Sequence, residues 1–321
     1  MPAGVTDTTI GIDVGGTKCL GVVLDARNTI VDEHRVLTPA TGDALVAALT
    51  GLVRTLHLRS GTPPCPIGIG APGLVDRGGV LRFTPNLPGI VELPLQSALE
   101  AADLGGAVVV GNDATCATWA EATLGAAVGA SDVVLATIGT GIGGGVMLGG
   151  RLIGGHHGFA GEIGHMVVQA KGAACQCGGY GCWERYASGG GLGRLTHDAA
   201  REGRLPKLVA DKGGDVDAVR AEDVSDAAAS GLDEAVELMR EIGWWLALGL
   251  SNLAAILDCG HFVIGGGLSG ASDLVLPSAR EFLADLVEGY DARPTITVTA
   301  SMFGPRSGAM GAALDAFERL G

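Results

Sequence analysis

Short apolar runs separated by turn residues open the chain. Residues 9–14 and 19–24 form the first two runs, and a more polar segment at 29–36 follows, with glycine, aspartate and asparagine between the three. Apolar runs of this length that end in such residues are typical of β-strands joined by tight turns. The pattern therefore predicts three consecutive strands at the start of the chain.

The same pattern returns in the middle of the chain. Residues 132–137, 146–148 and 151–153 are apolar, and the stretch IGTGIGGG at 138–145 separates the first two. The order strand, Gly-Thr turn, strand, turn, strand thus occurs twice, which indicates an internal duplication. Two halves with matching glycine-threonine turns suggest a nucleotide held in a cleft between them.

Longer segments with apolar residues at helical spacing follow the strands. They cover residues 44–58, 114–124, 232–257 and 307–320. Because strands alternate with helices, we expect an α/β fold.

A chain of 321 residues is long enough for two domains. We expect a smaller N-terminal α/β domain at residues 1–112 and a larger α/β domain at 113–303. The last helix, at about 304–321, is expected to pack back on the first domain.

Charge and hydropathy exclude several classes of partner. Acidic residues outnumber basic ones by 35 to 21, for a net charge of −14, which disfavours binding to nucleic acid or to an anionic membrane. The longest apolar run, residues 242–257, is shorter than the roughly 20 residues of a membrane-spanning helix, and no signal peptide precedes the first strand. We expect a cytoplasmic protein.

Three cysteines and a histidine form a candidate metal site. Cys175, Cys177 and Cys182 are close in sequence, with glycines among them, and His165 lies ten residues upstream of the first. Three thiolates and one imidazole make a closed tetrahedral zinc site, which is typical of a structural metal. The alternative is three unrelated thiols in a glycine-rich loop. A disulfide is disfavoured because the chain has seven cysteines and no signal peptide.

Two carboxylates flank this candidate zinc loop. Glu162 and Glu184 would approach each other when a metal closes the loop. Carboxylates beside an imidazole suit the recognition of several hydroxyl groups, as on a sugar, although both could equally be solvated surface charges. Since the glycine-threonine turns lie elsewhere in the sequence, loss of the metal is expected to reduce sugar affinity much more than ATP affinity.

The glycine-rich turns are candidate phosphate sites. The segment DVGGTK at 13–18 places Asp13 at the end of a strand and exposes the N–H groups of Gly15, Gly16 and Thr17. Bare amides and a hydroxyl can hold phosphate oxygens, and the carboxylate can hold Mg²⁺. A single turn of this kind also fits an ordinary β-turn, but it has a counterpart at Thr140.

Asp113 has two interpretations. It follows the strand at 108–110 and precedes the helix at 114–124, where an aspartate commonly caps the helix. Alternatively, a carboxylate at a strand end takes a proton from an incoming hydroxyl group.

With these residues assembled, the chain resembles the ROK family of sugar kinases and repressors. The resemblance runs nearly end to end and rests on the motifs DVGGTK, GAPG (70–73), ND (112–113), IGTGIGGG, EIGH (162–165), CQCGGYGCWE (175–184) and VIGGG (263–267). The cysteine pattern downstream of EIGH is the most specific of these. One departure is SGGGL at 188–192, where the family usually has S-G-x-A-L.

The resemblance implies an actin-like ATPase (ribonuclease H-like) fold of two α/β domains, with ATP, Mg²⁺ and a structural Zn²⁺. Asp113 is then the general base. The other implied residues fall into three groups: sugar contacts at Gly73, Asn112, Asp113, Glu162, His165 and Glu184; nucleotide and phosphate contacts at Asp13, Gly15, Gly16, Thr17, Lys18, Thr140, Gly141, Gly265, Gly266 and Gly267; and zinc ligands at His165, Cys175, Cys177 and Cys182.

The implied function is ATP-dependent phosphorylation of glucose at its C6 hydroxyl, by a homodimer or homotetramer. Fructose, mannose, N-acetylglucosamine and N-acetylmannosamine are alternative substrates, and polyphosphate is an alternative donor. A sugar-sensing regulator is another alternative. It is disfavoured because twelve residues before Asp13 are too few for a helix-turn-helix domain and because Asp113 is retained.

Overall fold

The structure is a computed structural model that describes residues 8–85, 87, 89–267 and 272–320. Leu268 and Ser269, which extend the predicted turn after VIGGG, lie outside these residues. Among the described helices, none is both long enough and apolar enough to cross a membrane.

Thirteen strands and ten helices make up the regular structure of the described residues. The strands are β1 (Thr8–Val14), β2 (Lys18–Asp25), β3 (Ile30–Leu37), β4 (Ile67–Ala71), β5 (Leu74–Val75), β6 (Leu81–Phe83), β7 (Val91–Leu93), β8 (Val108–Asn112), β9 (Val133–Ile138), β10 (Ile142–Leu148), β11 (Arg151–Leu152), β12 (His261–Gly265) and β13 (Thr297–Ala300). The helices are α1 (Gly42–Ser60), α2 (Leu95–Glu100), α3 (Asp113–Thr123), α4 (Glu184–Ala187), α5 (Gly189–Arg201), α6 (Pro206–Asp211), α7 (Ala221–Ala229), α8 (Asp233–Leu257), α9 (Ser272–Leu286) and α10 (Ser307–Leu320).

The first sheet has the strand order β3-β2-β1-β4-β8. β1 pairs antiparallel with β2 and parallel with β4, and β4 pairs parallel with β8. The register places Asp13 beside Gly70 and Ala71 beside Asn112. Because carboxyl ends of parallel strands meet at one edge of a sheet, Asp13 and Asn112 lie at the same edge.

The last helix, α10, packs on this sheet. A Cβ atom on Gly11 of β1 would lie 1.9 Å from the carbonyl oxygen of Ala309, and one on Gly68 of β4 would lie 1.8 Å from that of Ala312. Only glycine permits so close a contact between strand and helix backbones. Ala309 and Ala313 of α10 share a buried apolar cluster with β2.

The second sheet has the order β11-β10-β9-β12-β13, which repeats the order of the first. β9, β12 and β13 are parallel neighbours, as β1, β4 and β8 are in the first sheet. The internal duplication predicted from the sequence is therefore confirmed. The expected strand at 146–148 begins earlier, at Ile142, because the glycines at 143–145 adopt strand conformation.

Trp183 fixes the cysteine-rich segment to the longest helix. Its side chain is completely buried, and its indole N–H donates to the carbonyl oxygen of Trp245, 2.7 Å away. Gly249 of α8 leaves room for the indole, since a Cβ there would lie 2.0 Å from the ring. The segment that carries the cysteines therefore has a rigid support.

The chain divides into two compact units. One contains residues 1–131, 145–161 and 302–321, and the other contains 132–144 and 162–301. This grouping differs from the expected domains, 1–112 and 113–303, in joining α3 and residues 145–161 to the N-terminal part. The expected domain boundaries stay a prediction.

Candidate functional site

Asn112 and Asp113 lie at the end of β8, where α3 begins. Asn112 caps the helix, because its Oδ1 accepts a hydrogen bond from the N–H of Thr115 at 2.9 Å. Its Nδ2 donates to the carbonyl oxygen of Gly73 at 3.2 Å. The expectation that Asp113 is the N-cap is wrong, since Asn112 occupies that position and Asp113 is the first residue of the helix.

Asp113 is therefore a partly buried carboxylate at a helix N-terminus that capping does not explain. Its Oδ1 accepts from the N–H of Ala114 at 2.8 Å. The partial positive charge of the helix end also favours a carboxylate here. Asn112 thus supplies the cap, and the role of Asp113 toward substrate stays a prediction.

Gly73 is shaped for close packing. It has a φ of +81°, and a Cβ on it would lie 2.2 Å from the carbonyl oxygen of Phe83. Its own carbonyl is held by Asn112. The sequence-predicted sugar contacts Gly73, Asn112 and Asp113 thus form one hydrogen-bonded group, and their roles toward sugar stay predictions.

The carboxyl group of Asp13 has a strongly raised pKa. Burial, and then the negative charge of Asp113, raises the pKa of Asp13 to about 7. A Cβ on Gly308, in the first turn of α10, would lie 2.8 Å from the Asp13 carboxyl carbon. Two neighbouring carboxylates whose charges repel are a donor set that suits Mg²⁺, so Asp13 fits the predicted metal role.

The Gly15–Thr17 turn is a tight hairpin. The N–H of Gly15 donates to the carbonyl oxygen of Lys18, and the Thr38 hydroxyl donates to that of Gly15 at 2.7 Å. Gly16, Thr17 and Lys18 are exposed. The turn is thus preorganised, and its predicted contact with phosphate stays a prediction.

The four predicted zinc ligands lie together. The candidate ligand atoms of His165, Cys175, Cys177 and Cys182 are all within 4.8 Å of one another. The Sγ atoms of Cys177 and Cys182 are 3.6 Å apart, and the Sγ of Cys175 is 3.8 Å from Nδ1 of His165. Tetrahedral zinc with Zn–S bonds of about 2.3 Å requires ligand separations of about 3.8 Å. The residues present fit a closed zinc site.

The two ring nitrogens of His165 face different neighbours. Nδ1 faces Cys175, whereas Nε2 faces the carboxylate of Glu162 at 3.8 Å. Zinc on Nδ1 would fix the ring and leave Nε2 directed toward Glu162. Burial, followed by the charge of Glu184, raises the pKa of Glu162, and His165 opposes the increase.

Glu184 touches both the cysteine cluster and the second glycine-threonine turn. Its Oε1 lies 3.0 Å from the Sγ of Cys175, and its Oε2 accepts from the N–H of Ile142 at 3.4 Å. A Cβ on Gly141 would lie 2.3 Å from Oε2. The sequence did not suggest this contact, because 42 residues separate Glu184 from Ile142.

Gly265–Gly267 lie beside the same turn. Gly265 pairs with Thr137 in the parallel ladder of β12 and β9. Gly266 has a φ of +86°, and a Cβ on it would lie 2.5 Å from the carbonyl oxygen of Ile138. The glycine-rich segments expected near the nucleotide thus follow two paired strands, Thr140–Gly141 after β9 and Gly266–Gly267 after β12.

Family comparison agrees with these motifs. The model of the ROK family matches residues 9–318. This chain belongs to the ROK family. The glucokinase of Streptomyces coelicolor is 39% identical over 308 residues, which cover 95% of this chain and 96% of that protein. The N-acetylmannosamine kinase of Citrobacter koseri is 35% identical over 311 residues, covering 96% and 98%.

The fold is similar to that of a solved ROK family structure. The crystal structure of a ROK family glucokinase from Streptomyces griseus in complex with glucose and AMPPNP is 37% identical, with a TM-score of 0.84. The match covers 97% of this chain and 99% of that one. The expected actin-like ATPase fold is confirmed.

Sequence reasoning missed the contact of Ser188 with the glycine-threonine turn at 139–141, where its hydroxyl donates to the carbonyl oxygen of Thr140. Ser188 ends α4 and caps α5. The glycines after it are helical. Gly191 stands where the family pattern usually has Ala. Glycine fits the packing here, since a Cβ on Gly191 would lie 2.7 Å from the carbonyl carbon of Tyr186.

Proposed function

We propose that this protein transfers the γ-phosphoryl group of ATP to the C6 hydroxyl of a hexose, with glucose as the preferred substrate. The observation that carries the proposal is 39% identity to a glucokinase over nearly the whole length of both chains. The ROK glucokinase structure with glucose and AMPPNP supports ATP as the donor.

Asp113 has the central chemical role in this proposal. The carboxylate accepts the proton of the C6 hydroxyl as the oxygen attacks the γ-phosphorus. The transition state of phosphoryl transfer is loose, so alignment and charge stabilisation matter more than a strong base. A carboxylate at a helix N-terminus therefore suffices.

Other residues have binding roles in this proposal. Glu162, His165 and Glu184 accept or donate hydrogen bonds to the sugar hydroxyls, and the N–H groups of Thr140 and Gly141 hold phosphate oxygens. Asp13 would hold Mg²⁺, which would neutralise phosphate charge. Zinc held by the three cysteines and His165 would fix the orientation of the His165 ring.

N-acetylmannosamine is the second candidate substrate, because the N-acetylmannosamine kinase of Citrobacter koseri is 35% identical over a similar length. A coupled assay of product formation with glucose, mannose, fructose, N-acetylglucosamine and N-acetylmannosamine separates the candidates. Parallel reactions with ATP and with polyphosphate identify the donor. A kcat/KM for N-acetylmannosamine above that for glucose would refute the preference for glucose, and no turnover of any sugar would refute the kinase assignment.

A further inference from the structure

The turn that starts α5 holds the glycine-threonine turn at 139–141 from one side. The N–H of Gly189 donates to the carbonyl oxygen of Gly139 at 2.8 Å, and the N–H of Gly190 donates to that of Thr140 at 3.2 Å. Both acceptor residues are exposed. An exposed loop is thus fixed by two backbone hydrogen bonds from a helix start.

Ser188 strengthens this attachment. Its side chain is 1% exposed, and its hydroxyl lies 2.9 Å from the carbonyl oxygen of Thr140 and 2.6 Å from that of Glu184. The same oxygen accepts from the N–H of Gly191 at 3.1 Å and so caps α5. One buried hydroxyl therefore joins the first residue of α4, the start of α5 and the exposed turn.

These bonds determine where the remaining amides of the turn point. In a planar trans peptide, the C=O and the N–H point in opposite directions, and the described residues contain no cis peptide bond. Because the carbonyls of Gly139 and Thr140 point toward α5, the N–H groups of Thr140 and Gly141 point away from it. The next N–H, of Ile142, is bound by Glu184.

We propose that Ser188 and the Gly189-Gly190 turn are a positioning element that directs the N–H groups of Thr140 and Gly141 toward the phosphates of a nucleotide. Ser188 touches no phosphate in this arrangement and acts through the backbone of the turn. The inference rests on the proposed function, which assigns phosphate binding to Thr140 and Gly141.

Gly190 provides an independent test of the same arrangement. A Cβ on Gly190 would lie 2.7 Å from the carbonyl oxygen of Thr140, so Gly190→Ala must displace that carbonyl. Gly193 is a matched control in the same helix, because a Cβ there has no neighbour within 4 Å. Ser278→Ala is the control for loss of a buried serine, since the hydroxyl of Ser278 donates to the carbonyl oxygen of Val275 in its own helix.

The experiment compares two ligands by calorimetric titration, Mg·ADP and glucose, on the full-length protein. We expect Ser188→Ala and Gly190→Ala to weaken Mg·ADP binding about tenfold, as for one or two lost hydrogen bonds near a charged ligand. Glucose affinity should stay within about twofold of wild type, since it depends on other groups. Gly193→Ala and Ser278→Ala should leave both affinities unchanged.

Each outcome is decisive. Unchanged Mg·ADP affinity in Ser188→Ala would overturn the inference, and so would equal losses of ADP and glucose affinity, which indicate a general structural role. If the wild type binds Mg·ADP but phosphorylates no hexose, the proposed function is refuted, while the comparison of ADP affinities still decides the role of Ser188. A wild-type protein that does not bind Mg·ADP would refute both.

Discussion

Asn112 and Asp113 show how adjacent residues of similar size acquire different roles. The amide of Asn112 is used twice inside the protein, once to cap α3 and once to hold the carbonyl of Gly73. Both bonds need an acceptor and a donor on one side chain, which an amide supplies and an ionised carboxylate does not. The carboxylate of Asp113 is consequently not required for the start of the helix.

The first prediction at the residue scale concerns Asp113→Asn. We expect turnover to fall by about 10²- to 10⁴-fold, the usual loss when a general base is removed, while glucose affinity and thermal stability change little. Steady-state kinetics and calorimetric titration with glucose measure the two effects.

Asp43→Asn is the matched control for this variant. Asp43 is also an acidic residue in the first turn of a helix, but it is exposed. The control should keep full activity. Turnover of Asp113→Asn within a few-fold of wild type would mean that the carboxylate is not the base.

The second prediction at this scale follows from the raised pKa of Asp13. The folded protein binds the proton of Asp13 up to a pH of about 7, whereas the unfolded chain releases it near 3.8. The folded state therefore loses stability as the pH rises between these values, and the full penalty is present above pH 7. Asp13→Asn removes the penalty and should be more stable than wild type at pH 8 in the absence of Mg²⁺.

Urea unfolding at pH 5 and pH 8 with a chelator tests the effect of Asp13→Asn. A pKa shift of one unit corresponds to about 1.4 kcal/mol, so the stability advantage should grow by about 2–3 kcal/mol between the two pH values. If the stability advantage of Asp13→Asn does not depend on pH, the raised pKa of Asp13 is contradicted. The same variant should lose activity with Mg·ATP, because stability and function oppose each other at this position.

Residue types in a spaced pattern were enough to predict that three cysteines and one histidine converge. Cysteine spacing and the upstream histidine constrain which atoms can converge, and the structure brings all four together. The N-cap of α3 could not be predicted in this way, because Asn and Asp are equally good capping residues. The choice between them depends on the backbone dihedral angles of one residue, which for Asn112 are extended.

At the scale of elements, the cysteine-rich segment is stabilised at three points. Trp183 is buried against α8, Glu184 contacts the N–H of Ile142, and the three cysteines converge with His165. Backbone hydrogen bonds also join the two sides of the segment, as from the N–H of Val168 to the carbonyl oxygen of Gly181 at 2.9 Å. A metal held by the four side chains would add a further constraint on this conformation.

The prediction at this scale concerns Cys177→Ser. Cys177 is exposed, so the change creates no core cavity. Structural zinc contributes on the order of 10 kcal/mol to local folding, and its loss should displace His165 and Glu184 and weaken glucose binding at least about tenfold. Mg·ADP affinity should fall less, because α5 holds the 139–141 turn through bonds that do not involve the metal.

Elemental analysis and the two titrations test this prediction. Cys259→Ser is the control, since Cys259 is a buried thiol that lies outside the cluster. A variant that loses zinc but binds glucose as the wild type does would contradict the proposed link. A wild-type protein without zinc and with normal glucose affinity would contradict it as well.

Glycine runs were the elements that the sequence described least well. The run at 143–145 was interpreted as part of a loop but lies in β10. Glycine disfavours a strand by itself, so the local sequence gives no strand signal. The reason for glycine here is tertiary: a Cβ on Gly145 would lie 2.1 Å from the Thr118 hydroxyl oxygen.

At the scale of the whole molecule, the first compact unit is assembled from three separate stretches of chain. The repeated strand order could be predicted, because each repeat is local in sequence. Of residues 302–321, which belong to the first unit, the sequence analysis predicted a place on the first domain only for the last helix. The side chain that secures this return, Glu121, has no motif that distinguishes it from an ordinary helical glutamate.

Glu121 carries the final prediction. It is completely buried, and its two oxygens accept from the N–H groups of Met302 and Phe303 at 3.0 Å, from the Ser307 hydroxyl at 2.9 Å and from the N–H of Ala126 at 2.9 Å. Removing the carboxylate leaves the three partly buried N–H groups without this acceptor, at about 1–3 kcal/mol each. Glu121→Ala should therefore lower the unfolding free energy of the first unit by about 3–5 kcal/mol.

Hydrogen exchange measures where this stability is lost. Protection should fall in α10 and β1 but not in α8. Glu318→Ala, an exposed change on α10, is the control and should cause no loss of protection. Equal loss of protection in α8, or no loss in α10, would contradict the role of Glu121 in fixing the C-terminal segment.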